Sequence, residues 1–191
     1  KIINELKKNY DIKLFSSAER KNYTDAVLIG LKKTTSKIIS FVDSDGQYDP
    51  KDLKRLYDNL EPGKIVIGYR YPRVDNIFRL FISGSFKKLY EILLKIKLND
   101  PSCGYFIAYR EDIESIINND VSGLIKEGFW WEFYAWCKLR NLEIVEIPIK
   151  HFNRKHDNTV VFKLKKIPGI AVRNILGLFK LKNLLNKMSL D

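Results

Sequence analysis

The chain has 191 residues, 45% hydrophobic and 13% aromatic, a composition that excludes disorder and suits one domain with a substantial core. Its formal charge of +11 favours an anionic partner, whether nucleic acid, a membrane surface or a phosphorylated ligand. The charge is uneven: residues 150–191 carry ten Lys/Arg against two Asp/Glu, a net of +8, and the rest of the chain is nearly balanced. Cys103 and Cys137 lie too far apart for a CxxC motif, and His151 and His156 lack metal-ligand spacing. A reduced, cytosolic setting is the simplest expectation. No apolar run approaches the length of about 20 residues that crosses a bilayer.

In chain order, Ile2 to Asn9 reads as a short amphipathic helix, starting so abruptly that the chain is expected to be N-terminally incomplete. A strand is expected at Ile12 to Phe15, a helix at Tyr23 to Thr34 and a buried strand at Lys37 to Val42 that ends at Asp43. Asp49-Pro50 is a helix start, with Asp49 as cap and Pro50 in the first turn, and Glu61-Pro62-Gly63 ends that helix. A strand at Lys64 to Gly68 and a helix from about Asn76 to Lys97 follow. Next come a strand at Tyr105 to Tyr109, helices near Asp112 to Asn118 and Phe129 to Arg140, and a last strand at Glu143 to Ile149. This alternation predicts an α/β fold with a mostly parallel central sheet flanked by helices. Ligands of such sheets bind beyond the carboxyl ends of the strands.

The most informative stretch is Phe41-Val42-Asp43-Ser44-Asp45-Gly46-Gln47-Tyr48-Asp49-Pro50. Two carboxylates one residue apart at a strand's end can converge on a hard divalent cation, with Gln47 adding a neutral oxygen. A solvated turn is the plain alternative, since Asp, Ser and Gly all form turns. A calcium loop is excluded, because the sixth position from Asp43 is Tyr48 and the twelfth is Lys54.

In this context the sequence resembles the family-2 inverting glycosyltransferases of GT-A fold, most closely their dolichol-phosphate mannose synthase-like branch. Asp43, Asp45, Gln47, Asp49 and Pro50 match that branch's D-x-D-x-Q-x-D-P pattern. Gly68-Tyr69-Arg70-Tyr71 is similar to its G-S-R-Y loop, and Arg79 with Ser83 to its R-x-x-x-S pair. Asp100-Pro101-Ser102-Cys103-Gly104-Tyr105 is similar to D-x-x-S-G-F, and Glu146-Ile147-Pro148-Ile149 with Arg154 to the E-V-P-I strand and closing loop. The family's opening V-S-V-V-I-P-x-Y-N-E strand and D-D-G-S-T-D turn are not in the sequence.

The resemblance implies Mg²⁺ or Mn²⁺ held by Asp43, Asp45 and Gln47. It implies a nucleotide-sugar (GDP- or UDP-hexose, with mannose or glucose as the sugar) whose diphosphate meets Arg154, Lys155 and Thr159. The acceptor is then a polyprenyl phosphate held by Arg70, Arg79 and Ser83. A phosphate is its own nucleophile near neutral pH, whereas a hydroxyl acceptor needs a base, for which Asp100 is the candidate.

The expected organisation is a partial GT-A domain over residues 1–160 and a basic amphipathic helical tail over 161–191. That tail would rest on an anionic membrane surface, placing the protein on the cytoplasmic face. Helix packing on the domain or on a partner chain is its alternative. Two other functional readings stay open. One is a truncated or split transferase, inactive without an N-terminal segment or partner chain. The other is a basic nucleic-acid-binding protein, although no nucleic-acid motif is present and nucleic acid is not the expected partner.

Overall fold

A computed structural model describes residues 2–15, 22–75, 77–125, 127–153 and 167–188. The elements are α1 (Ile2–Leu6), α2 (Tyr23–Lys33), β1 (Ile38–Phe41), α3 (Asp52–Tyr57), β2 (Lys64–Arg70), α4 (Ile77–Leu94), β3 (Phe106–Tyr109), α5 (Arg110–Ser115), α6 (Phe129–Leu139), β4 (Glu143–Ile149) and α7 (Ile167–Met188). A π-helical turn, Ile116–Asp120, continues α5.

The four strands form one sheet in the order β1-β3-β2-β4. β3 runs antiparallel to both of its neighbours, and β2 pairs in parallel with β4 from Lys64↔Glu143 to Arg70↔Ile149. Hence β1, β2 and β4 share a direction, but the sheet is mixed and not mostly parallel as the alternation of elements implies. The reason lies in residues 95–105. That run brings Asp100 onto Arg70 at the carboxyl end of β2, so β3 enters the sheet from that end and runs back. The strand expected at Ile12 to Phe15 does not form. A lone extended segment has no partner for its backbone groups, and among the described residues β1 pairs only with β3.

β2 is buried on both faces. Ile65 and Ile67 point into a large cluster with α2, α4, α6 and α7, while Val66 points into a smaller one with Leu56, Tyr105, Ile107 and Ile149. The whole of Phe129–Cys137 on α6 is buried, which explains its near-continuous apolar and aromatic sequence. α7 packs on the domain: Leu178 and Leu181 are fully buried in the large cluster. α3 begins at Asp52 rather than at Pro50, because residues 49–51 form a turn in which the Asp49 carboxylate accepts from the Lys51 N–H at 3.0 Å. Asp52 is buried and accepts from the Lys150 N–H at 2.9 Å and from Arg55 at 3.0 Å, tying α3 to the end of β4.

A buried carboxylate organises the approach to α6. Glu132 has no exposed surface and accepts from the N–H groups of Ser122 (2.8 Å), Gly123 (3.1 Å) and Ile125 (3.1 Å). Glu132→Leu keeps the volume but leaves three N–H groups without their acceptor, that of Ile125 buried and those of Ser122 and Gly123 partly so. The expected loss of stability is at least about 3 kcal/mol, read as a lower urea midpoint, with Glu132→Gln milder. A Glu132→Leu change below about 0.5 kcal/mol contradicts this account.

Candidate active site

The carboxyl ends of β1, β2 and β4 and the start of β3 meet at one edge of the sheet. After β1 the chain turns sharply through Asp43–Gly46, where Gly46 takes φ +77°, a conformation that suits glycine. The Asp45 carboxylate accepts from the Gln47 N–H at 3.1 Å, closing a tight Asx turn. The Tyr23 hydroxyl donates to Asp43 Oδ1 at 3.0 Å and accepts from Trp130 Nε1–H at 2.8 Å. Although 43% of Tyr23 is exposed, burial of its hydroxyl end and the Asp43 charge raise its pKa, so it stays a donor at neutral pH. Trp130 fits because residue 104 is glycine, where a Cβ would stand 2.6 Å from the indole nitrogen.

The turn is tied across the site. Gln47 O accepts from the Phe152 N–H at 2.9 Å, and Tyr48 bridges to His151. The Gln47 amide lies 3.3 Å from His151 Nε2, while His151 Nδ1 accepts from the Val74 N–H at 3.3 Å. That acceptance fixes Nδ1 as the unprotonated nitrogen. Burial and then the nearby Arg70 charge lower the His151 pKa, keeping the ring neutral. Through the backbone ties of Tyr48 and Gln47 to His151 and Phe152 on one side and the Val74 N–H on the other, this segment couples the acidic turn to the loop between β2 and α4. The sequence offered no motif for this role, since the contact joins residues far apart in the chain.

That loop begins beside an ion pair. Arg70 Nε donates to Asp100 Oδ2 at 2.5 Å and its NH2 to Asp100 Oδ1 at 2.8 Å, while Ser102 joins both partners at 2.6 and 2.8 Å. Burial would raise the Asp100 pKa, but the hydrogen bonds and charge of Arg70 hold it well below the usual carboxylate range. Arg70 and Asp100 thus engage each other through both carboxylate oxygens. Glu146 braces the same run, accepting from the Asn99 N–H at 2.7 Å.

Farther along, Arg73 donates to Asp75 (2.7 and 3.0 Å) and to the Ser83 hydroxyl (3.2 Å), and Arg79 pairs with Asp75 at 3.0 Å. Arg79 and Ser83 are brought together as their spacing predicts, and Arg73 joins them unannounced by any motif. Cys103 is buried, its thiol pushed up to about 12 mainly by that burial, so it packs rather than reacts. Arg154, Lys155 and Thr159 lie outside the described residues.

Among the described residues no three His, Cys, Asp or Glu side chains gather as a metal cluster. Two half-buried carboxylates and one amide on a turn instead suit a cation that completes its sphere with substrate oxygens, as Mg²⁺ commonly does. The donor set of Asp43, Asp45 and Gln47 therefore fits a divalent ion shared with a phosphorylated ligand.

A family model described as glycosyl transferase family 2 matches residues 1–117. A polyprenol monophosphomannose synthase of Mycolicibacterium smegmatis is 28% identical over 134 residues, covering 66% of this chain and 49% of its own. The chain thus spans about half the length of that relative. The glucosyl-3-phosphoglycerate synthase of Mycobacterium tuberculosis, solved with Mn²⁺, UDP and phosphoglyceric acid, superposes with a TM-score of 0.60 at 18% identity, over 85% of this chain and 55% of that one. The same enzyme with Mg²⁺ and UDP gives a TM-score of 0.58 at 17% identity, over 91% and 57%.

Tyr23→Phe takes the hydrogen bond from Asp43 while keeping the ring. The expected outcome is Mn²⁺ binding weakened by about tenfold, the usual scale for removing a partner that orients a metal ligand. Calorimetry with Mn²⁺ alone checks it, and unchanged affinity refutes the orienting role of Tyr23.

Proposed function

Because this chain belongs to glycosyl transferase family 2, we propose that it moves a hexose from a nucleotide-sugar to a polyprenyl phosphate at a membrane surface. Asp43, Asp45 and Gln47 would hold Mg²⁺ or Mn²⁺, which when bound neutralises charge growing on the departing nucleoside diphosphate. Arg154, Lys155 and Thr159 carry the diphosphate contacts that the resemblance implies. Arg79 and Ser83 receive the acceptor phosphate, with Arg70 fixed behind them by Asp100.

The observation that carries the acceptor reading is the Asp100–Arg70 pair. A carboxylate with both oxygens engaged by one guanidinium and held far below its usual range is a poor base. A hydroxyl acceptor needs such a base, whereas a phosphate monoester, largely dianionic above its second pKa near 6, does not. The mannose synthase relative supports the same acceptor class, and the Mn²⁺ and UDP of the superposed synthase support the donor side.

Contact with the membrane is supported by α7. Its buried side packs on the core, whereas Val172, Leu176 and Phe179 form an exposed apolar line beside Arg173 and Lys180. No described helix is long and apolar enough to cross a membrane; the proposed place of the exposed line is the interface, on the cytoplasmic side. Replacing these three residues by Ser leaves Leu178 and Leu181 in place. The variant is expected to lose most binding to anionic vesicles in flotation, and full retention refutes the interfacial role of α7.

The chain spans about half of its curated relative, so binding by this chain alone is the direct test. Calorimetry with GDP and with UDP is expected to give micromolar affinity in Mn²⁺, none in EDTA, and none for Asp45→Ala in Mn²⁺. Folded protein that binds neither nucleotide supports the split-transferase reading, in which a further segment or chain completes the donor site. Binding that EDTA and Asp45→Ala leave unchanged removes the metal assignment.

A further inference from the structure

α7 is held to the domain by more than its apolar side. Arg173 NH2 donates to Glu127 Oε1 at 2.5 Å, and Asn174 Oδ1 accepts from the Glu127 N–H at 3.5 Å. One turn on, Gly177 lies against the Leu124 carbonyl, where a Cβ would stand 2.9 Å from the carbonyl carbon and overlap its oxygen. A glycine inside a helix ordinarily weakens it, and here it lets the two backbones approach. By their spacing Arg173, Asn174 and Gly177 share one side of α7, and that side is seated on Leu124 and Glu127.

Leu124 and Glu127 belong to the stretch on which both helices of the Tyr23–Trp130 pair rest. Toward α6, the N–H groups of Ser122, Gly123 and Ile125 end on the Glu132 carboxylate, and Gly128 donates to Ile125 O at 2.9 Å. Toward α2, a Cβ on Gly123 would meet the Thr24 methyl at 3.4 Å. Thr24 is the neighbour of Tyr23, and Trp130 lies in the first turn of α6. The Trp130 indole N–H then reaches the Tyr23 hydroxyl, which reaches Asp43.

We infer that α7 positions the Tyr23–Trp130 hydrogen bond, and through it the Asp43 carboxylate, with Arg173, Asn174 and Gly177 as the positioning residues. The inference rests on the assignment of Asp43 to a divalent cation and adds a remote support for that ligand. Magnitudes favour orientation over stability as the work of the ion pair. Arg173 and Glu127 are 51% and 23% exposed, and pairs so exposed add little to the stability of a fold. Leu178 and Leu181, fully buried, already hold α7 down. Apolar burial is non-directional, whereas a charge pair, an amide and a close backbone contact fix the setting of the helix along its axis. Hydrogen bonds weaken steeply as their angle falls, and the groups that orient a metal ligand govern affinity.

A double-mutant cycle on Mn²⁺ affinity tests this, with the Trp130 indole N–H resonance of the metal-free protein, assigned by Trp130→Phe, as a second readout. Gly177→Ala is expected to weaken Mn²⁺ binding by about threefold to tenfold, up to the scale of losing an orienting partner outright, and to shift the indole resonance. Arg173→Glu is expected to do the same to a lesser degree while moving the thermal midpoint little, and adding Glu127→Arg restores both readouts. In a Tyr23→Phe background neither Gly177→Ala nor Arg173→Glu is expected to weaken Mn²⁺ binding further. Equal loss with and without the Tyr23 hydroxyl means that the variants loosen the fold generally, and it overturns the inference. Parent affinity with an unmoved resonance in both variants overturns it too. A parent chain that binds no Mn²⁺, while the variants still move the resonance, overturns the metal assignment and leaves α7 as the seat of the Tyr23–Trp130 pair.

Discussion

A guanidinium and a carboxylate that lose their water together are stable only while both are present. Removing one partner of such a pair leaves a buried charge and costs about 3–5 kcal/mol, although an apolar pair of similar volume need not be worse than the pair itself. Arg70 and Asp100 stand in that position, with side chains 7% and 4% exposed. What the pair contributes is therefore placement. It fastens the run after α4 to the carboxyl end of β2, and Ser102 and the Arg70 N–H complete the fastening. β3 then has one direction open to it, and the sheet closes as β1-β3-β2-β4.

The same pair divides the site's charges. By satisfying Arg70 internally it leaves the later arginines as the cationic groups nearest the surface, and by holding Asp100 far below its usual range it withdraws a base. The acidic turn supplies the opposite charge on a neighbouring strand end. His151 lies between the two, neutral because it is buried beside Arg70 and because its Nδ1 must accept from Val74. A charged ring there would have to give up that hydrogen bond, so a neutral spacer keeps the negative and positive halves in register without joining them in an ion pair.

Local order was legible wherever the signal is local. The apolar run Glu143–Ile149 is β4 as expected, the aromatic block of α6 begins at Phe129, and the Arg79–Ser83 spacing puts both on one side of α4. The acidic turn could be read because Asp, Gly and Gln at those offsets limit the backbone by themselves. The direction of β3 was not legible, since it depends on a contact between residues 30 apart. His151 lacks ligand spacing, yet it joins the acidic turn at Tyr48 to the loop at Val74, which no spacing rule covers. Arg73 lies beyond the family pattern, which stops at Tyr71, and only the fold brings it to Ser83.

α4 presents two unlike faces. Arg79 and Ser83 lie on the line of the helix that faces the loop, while Ile77 and Phe81, 86% and 72% exposed, lie on a line that faces away, with Phe78 beside them at 50%. Large apolar groups so exposed across the helix from a polar site point to a surface that covers them. A soluble sugar would leave them in water. The two lines lie on opposite faces of α4, so the apolar line would meet a membrane or partner surface while the polar line meets a phosphate head. Burying such side chains is worth about 1.5–3 kcal/mol each, comparable to a charge-assisted hydrogen bond. On this reading the apolar line holds the protein against the surface that carries the acceptor, and the arginines set the preference for a phosphate head over an alcohol.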